Sequence, residues 1–273
     1  MRWTLDTIDW DAFDASKVDP GLLRAVKAAA LVEFNAPDYV TYLCNVFSDR
    51  AEMRADFEQW GREEEQHGRA LAKWAKLADP AFDFDDAFAR FRKMQNIETG
   101  AVTSIRGSRA GEMVARCVVE SGTSSFYTAI KDATDEPCLK QVATYLAADE
   151  FAHYRLFYQT LKSFAAREPI SPANRIKIAI SRLNEADDDE LAGAFYCANY
   201  ASNSDVDYDR SRFANAYFRE ALGVYRPQHI DRVVSMVLKA GGFAAHGWMS
   251  DRLCRIVWWF WTMRLARLNA AAE

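Results

Sequence analysis

The sequence predicts an all-α protein, a four-helix bundle with one long crossover and additional C-terminal helices. Three observations predict it. Proline and glycine are scarce, at 7 and 12 of 273 residues, so few positions interrupt a helix. Apolar residues make up 50% of the chain and recur mostly with helical period. Short turns join the first expected helix to the second and the third to the fourth, whereas a long segment joins the two pairs.

Residues 1–20 read as an irregular arm ending at Asp19-Pro20-Gly21. A first helix is expected from Leu22 to Val46. Pro37 falls inside it, and a proline removes the hydrogen bond that would end on the carbonyl four residues back, so a kink or bulge is expected at Glu33. Ser48-Asp49 opens a second helix that ends near Ala78-Asp79-Pro80. Residues 80–108, with Asp pairs, Gly100 and Gly107, form the long connection and leave room for a short helix. A third helix covers Ala110 to Asp132, and Asp135-Glu136-Pro137 starts a fourth that runs to Ala166. Ser171-Pro172 opens a further helix, and several more follow, broken at Gly223, Pro227 and Gly241-Gly242. The chain thus divides into an arm (1–20), a bundle (21–169) and a helical extension packed on it (170–273).

Glu64-x-x-His67 recurs as Glu150-x-x-His153, 86 positions later (150−64). Each copy has a glutamate one helix upstream: Glu33 lies 31 residues before Glu64 (64−33), and Glu120 lies 30 before Glu150 (150−120). Residues i and i+3 share a helix face, so each Glu-His pair can reach one ion from one helix. About 30 residues is the separation of points that face each other across a helical hairpin, given roughly 1.5 Å rise per residue. Four carboxylates and two imidazoles in matching halves make the ligand set of a two-metal site. Carboxylates bridge cations and imidazole suits iron, so two iron ions are expected, with manganese or a mixed manganese–iron pair as the alternative. Glu120 is expected to be a bridging carboxylate.

The acids beside the ligands, Glu63 and Asp149, are candidate acceptors for the free ring N–H of the opposite histidine, with exposed acids as the plain alternative. Trp60 stands one turn before Glu64 and Leu71 two turns after it; Val40, Tyr127 and Phe157 follow the other glutamates, and packing around the cluster is their expected role. Ala28-Ala29-Ala30 leave space either for a cavity or for close helix packing. His229 and His246 lack this context and read as structural or surface groups.

A net charge of −5, without a Lys/Arg block interleaved with aromatics, argues against a nucleic-acid surface. Five cysteines, an odd count without a C-x-x-C, argue against a structural zinc, a rubredoxin-type iron site and a secreted disulfide framework, and favour a reducing cytoplasm. No signal peptide is visible and no apolar run reaches the ~18–20 residues of a span. Ile256–Met263, flanked by Arg255 and Arg264, is expected to be a buried or dimer-interface helix, with a helix lying on a membrane as the alternative.

The strings Glu63-Glu64-Glu65-Gln66-His67-Gly68, Asp149-Glu150-Phe151-Ala152-His153 and Glu120-Ser121-Gly122-Thr123 resemble the ferritin-like di-iron carboxylate superfamily. Within it they are most similar to soluble acyl-carrier-protein desaturases and rubrerythrin-type bacterial proteins. The resemblance spans residues 22–166 and does not extend to the C-terminal third. It implies O2-dependent desaturation or hydroxylation of an apolar, acyl-type substrate. It places Thr123 beside the metals on the oxygen side, as a proton or hydrogen-bond donor. It also implies a ferredoxin-like electron donor, an acyl carrier protein as a candidate partner, and a homodimer. The alternatives are a rubrerythrin-like peroxidase or oxidase and a non-catalytic metal-binding protein.

Overall fold

A computed structural model describes residues 2–95, 97–186, 189–202 and 206–271, and among them it contains helices and no strand. The arm is three single 3-10 turns, Leu5–Thr7, Trp10–Ala12 and Ala15–Lys17. Helices α1 (Pro20–Phe34), α2 (Ala36–Val46) and α3 (Ala51–Ala78) follow. The long connection carries α4 (Phe84–Met94). Next come α5 (Arg109–Ala133) and α6 (Pro137–Ala165), and after them α7 (Pro172–Ala186), α8 (Asp189–Asn199), α9 (Arg210–Gly223), α10 (Pro227–Ala240) and α11 (Trp248–Ala270).

The single helix expected over 22–46 is two helices. The break lies at Asn35, φ −80° and ψ 6°, two residues before Pro37, which has no N–H to continue the ladder from Glu33. α1 and α2 both pack on α3, α5 packs along α6, and α3 meets α6. α7 and α10 lie on α5, α8 lies on α1, and α11 rests on α9 and α10.

Two glycines of α3 set how close its neighbours come. A Cβ at Gly68 would stand 2.8 Å from the Phe34 nitrogen and 2.9 Å from the Ala30 carbonyl oxygen. One at Gly61 would meet Val40. Ala28 and Ala30 are fully buried, and the Ala30 carbonyl lies at this contact. The alanine run therefore serves close helix packing, the second of its two readings, and the approach brings Glu33 to the ligands on α3.

α11 is not buried against its own chain, one of the two placements expected for it. Only Ser250 and Cys254 along it are buried, because it leans one edge on α9 and α10 and leaves the rest to solvent. Among the described residues no helix is long and apolar enough to cross a membrane. The five cysteines are free and buried.

Glu136 fastens the arm to the helices. It is fully buried and caps α6 by accepting from the Leu139 N–H at 2.7 Å and the Cys138 N–H at 3.3 Å. It also accepts from Trp74 Nε1 of α3 at 2.7 Å and from the Asp14 N–H of the arm at 3.0 Å. Removing it strands buried donors, each worth roughly 1–3 kcal/mol. Glu136→Ala is therefore expected to lower unfolding stability by about 3 kcal/mol or more. An unchanged urea midpoint would show that the junction contributes nothing.

Candidate metal centre

Glu33 ends α1, Glu64 and His67 stand on α3, Glu120 on α5, and Glu150 and His153 on α6. All six are buried, none more than 8% exposed. Their ligand atoms fall into two groups, Glu33, Glu64, His67, Glu150 and Glu64, Glu120, Glu150, His153, with the atoms of each group within 4.8 Å of one another. Glu64 and Glu150 belong to both groups, and Glu120, expected to bridge, belongs to one. The reason is register: the i, i+3 pairs on α3 and α6 face each other across the α3–α6 contact, and the glutamates of α1 and α5 approach from the flanks.

Both imidazoles turn Nδ1 inward. His67 Nδ1 lies 3.0 Å from Glu150, 3.2 Å from Glu64 and 3.8 Å from Glu33. His153 Nδ1 lies 3.1 Å from Glu64, 3.7 Å from Glu120 and 3.9 Å from Glu150. Both Nε2 atoms turn outward to the opposite helix, His67 to Asp149 at 3.3 Å and His153 to Glu63 at 2.9 Å. Such carboxylates fix the tautomer and make the inward nitrogen more basic.

Burial pushes the Glu33 and Glu120 carboxyls well up, and the charges of Glu64 and Glu150 push them further. Glu64 is held well below the usual carboxylate range despite its burial, by His153 and then His67. Both histidines stay well above the usual imidazole range although burial opposes it: Asp149 leads the opposing contacts at His67, and Glu64 at His153. The two inward imidazoles offset part of the acidic charge, and the same ligand atoms could hold a metal ion. The donor set fits metal ions on a further observation. Both carboxylate oxygens of Glu120, Oε1 of Glu150 and Nδ1 of His153 are buried with no hydrogen-bond partner of good geometry, although such atoms in a protein interior are normally satisfied.

The residues around the ligands divide between packing and polar support. Leu71 and Phe157 are fully buried, and Trp60 stacks edge-on against Phe157. Val40 packs at the rim of its cluster. Tyr127, read as packing, also donates its hydroxyl hydrogen bond to Glu33. Thr123 donates to Glu150 Oε2 at 2.6 Å. It lines a cavity of about 70 Å³ together with Glu33, Trp60, Glu64, Glu120 and Glu150. His229 bonds Asp132 at 3.1 Å, outside the cluster.

Three features escaped sequence reasoning. Trp3 of the arm is buried, lies parallel to the His67 ring at 6.1 Å, and donates Nε1 to Asp149 at 2.7 Å. Arg116, four residues before Glu120, and Arg182 of α7 also line the cavity. So does Tyr39, which donates to Glu190 at 2.7 Å. The position of Arg116, one turn from a ligand on the same face, was a usable signal. Trp3 carried none, because it meets Asp149 across 146 residues.

No protein-family model matches the chain, and no curated protein matches it.

Loss of an acceptor behind a metal-bound histidine typically costs 10–100-fold in metal affinity. Asp149→Asn and Glu63→Gln are each expected to weaken metal binding by about 10-fold or more in chelator competition. Unchanged affinity in both would remove the orienting role.

Proposed function

We propose that this chain is a ferritin-like di-iron oxidoreductase that uses O2 to oxidise a C–H bond of its substrate. The observation that carries the reading is the pair of ligand groups sharing Glu64 and Glu150. Iron suits this mixed carboxylate and imidazole set, and manganese suits it next. Glu33 and His67 would complete one ion's ligands, and Glu120 and His153 the other's. When bound, the ions would supply O2 activation; in a desaturation, two hydrogens from the substrate, two electrons from a ferredoxin-like donor and two protons from solvent would reduce O2 to two waters.

The chain's own groups divide the remaining work. Asp149, held by Trp3, and Glu63, held by Gln59, orient the two imidazoles. Tyr127 fixes Glu33, and its phenol stays protonated because burial and then the Glu33 charge raise its pKa well above the usual value. Thr123 fixes one oxygen of Glu150 and presents its hydroxyl to the cavity. Glu120 has no such support, so its side of the centre is the more adaptable one.

The cavity beside these groups is small. Its 70 Å³ suits O2 and the reacting end of a substrate, well below the ~300–1,000 Å³ of pockets that enclose whole ligands. Val32, Ala36 and Val119 give it apolar walls, and the Arg116 and Arg182 that also line it face acids of the chain, Glu112 at 3.6 Å and Glu190 at 4.0 Å.

Elemental analysis tests the centre. Purified after iron-rich growth, the protein is expected to hold about two ions per chain. Glu64→Ala is expected to lose both, and Glu120→Ala to keep one. Equal losses in the two variants would contradict the sharing of Glu64, and a metal-free wild type would overturn the reading. Thr123→Val is expected to keep both ions yet change the rate at which the reduced protein consumes O2, and an identical rate would remove Thr123 from the reaction.

A further inference from the structure

α11 carries two apolar faces. One is packed: Leu253, Val257, Trp258 and Trp261 lie against Ile230, Val234 and Leu238 of α10. The other faces solvent. Trp248, Ile256, Trp259, Phe260 and Met263 are 77%, 45%, 55%, 60% and 39% exposed. Ile256, Trp259, Phe260 and Met263 are spaced by three and four residues and so form one stripe. Isolated exposed apolar residues are ordinary, but a contiguous patch with large aromatics marks an interaction surface.

The charges choose the partner. α11 holds Arg252, Arg255, Arg264 and Arg267 against the single acid Asp251, a balance of +3 (4−1) in a chain of net charge −5. Arg252, Arg255 and Arg267 are exposed, while Arg264 lies over the Phe218 ring. The arginines are placed symmetrically. Arg252 and Arg267 are equally far from the midpoint between Trp259 and Phe260, and so are Arg255 and Arg264. A two-fold antiparallel pairing of α11 with a second copy, centred on these aromatics, would set arginine against arginine in both pairs. Self-complementary interfaces need the opposite arrangement.

We propose that α11 docks the protein on an anionic lipid surface. The helix lies flat, with Trp259 and Phe260 in the boundary between headgroups and acyl chains. The exposed Arg252, Arg255 and Arg267 reach lipid phosphates. Aromatic residues favour that boundary, and arginine pairs with phosphate through two parallel hydrogen bonds. The proposal stands apart from the metal centre, and its test reads neither metal nor activity.

The full-length protein, mixed with vesicles of phosphatidylcholine alone or with added phosphatidylglycerol, is followed by flotation. It is expected to float with the anionic vesicles, to stay behind with the neutral ones, and to bind less as salt is raised. The double variant Trp259→Glu, Phe260→Glu alters exposed side chains, so its melting temperature and metal content should match wild type while flotation is lost. Arg252→Gln and Arg255→Gln should each weaken binding about fivefold. Wild type that ignores anionic vesicles, or a double variant that still floats, would overturn the proposal. A dimer in sedimentation that the double variant dissolves, without vesicle binding, would assign the face to a second copy and overturn it as well.

Discussion

Four carboxylates buried within a few ångströms of one another are the constraint on which the structure depends. An isolated buried carboxylate costs several kcal/mol in order-of-magnitude terms, and like charges add to it. The two buried imidazoles, held well above their usual range by these carboxylates, offset part of that cost, and the same atoms could hold a metal ion. The close approach at Gly61 and Gly68, the break at Asn35 and the outward carboxylates on both histidines all serve the placement of these atoms. A substitution that loosens the α1–α3 contact acts on the centre without touching a ligand.

The two halves match in their ligands and differ in their support. On one side Tyr127 holds Glu33, and Trp3 ties Asp149 to the arm. On the other, Glu120 stands without a hydrogen-bond partner, and the cavity that Thr123 lines touches both sides, Glu33 as well as Glu120. The arm is then part of the site, since Trp3, Gln66 and Asp149 form one hydrogen-bonded group against His67.

Much of this was legible in the sequence because helical geometry is regular. The repeated Glu-x-x-His and the glutamates about thirty residues upstream brought six side chains together, and Pro37 located the break. Glu63 and Asp149 could be paired crosswise because they stand one residue before a ligand on facing helices. What was not legible depends on contacts that no period encodes. Glu64 and Glu150, not Glu120, occupy the shared position, because the spacing of ligands along a chain does not reveal which helices are nearest across the core. Trp3 and Arg182 reach the site from segments with no repeat linking them to it. The apolar run of α11 read as a buried or dimer-interface helix; its exposure within the chain follows from where α9 and α10 leave it.

The most direct test of the two-ion centre is anomalous diffraction from crystals of the iron-loaded protein, collected at the iron edge. The account expects two peaks, one among Glu33, Glu64, His67 and Glu150, the other among Glu64, Glu120, Glu150 and His153. A single peak, or none at these six side chains, would contradict it.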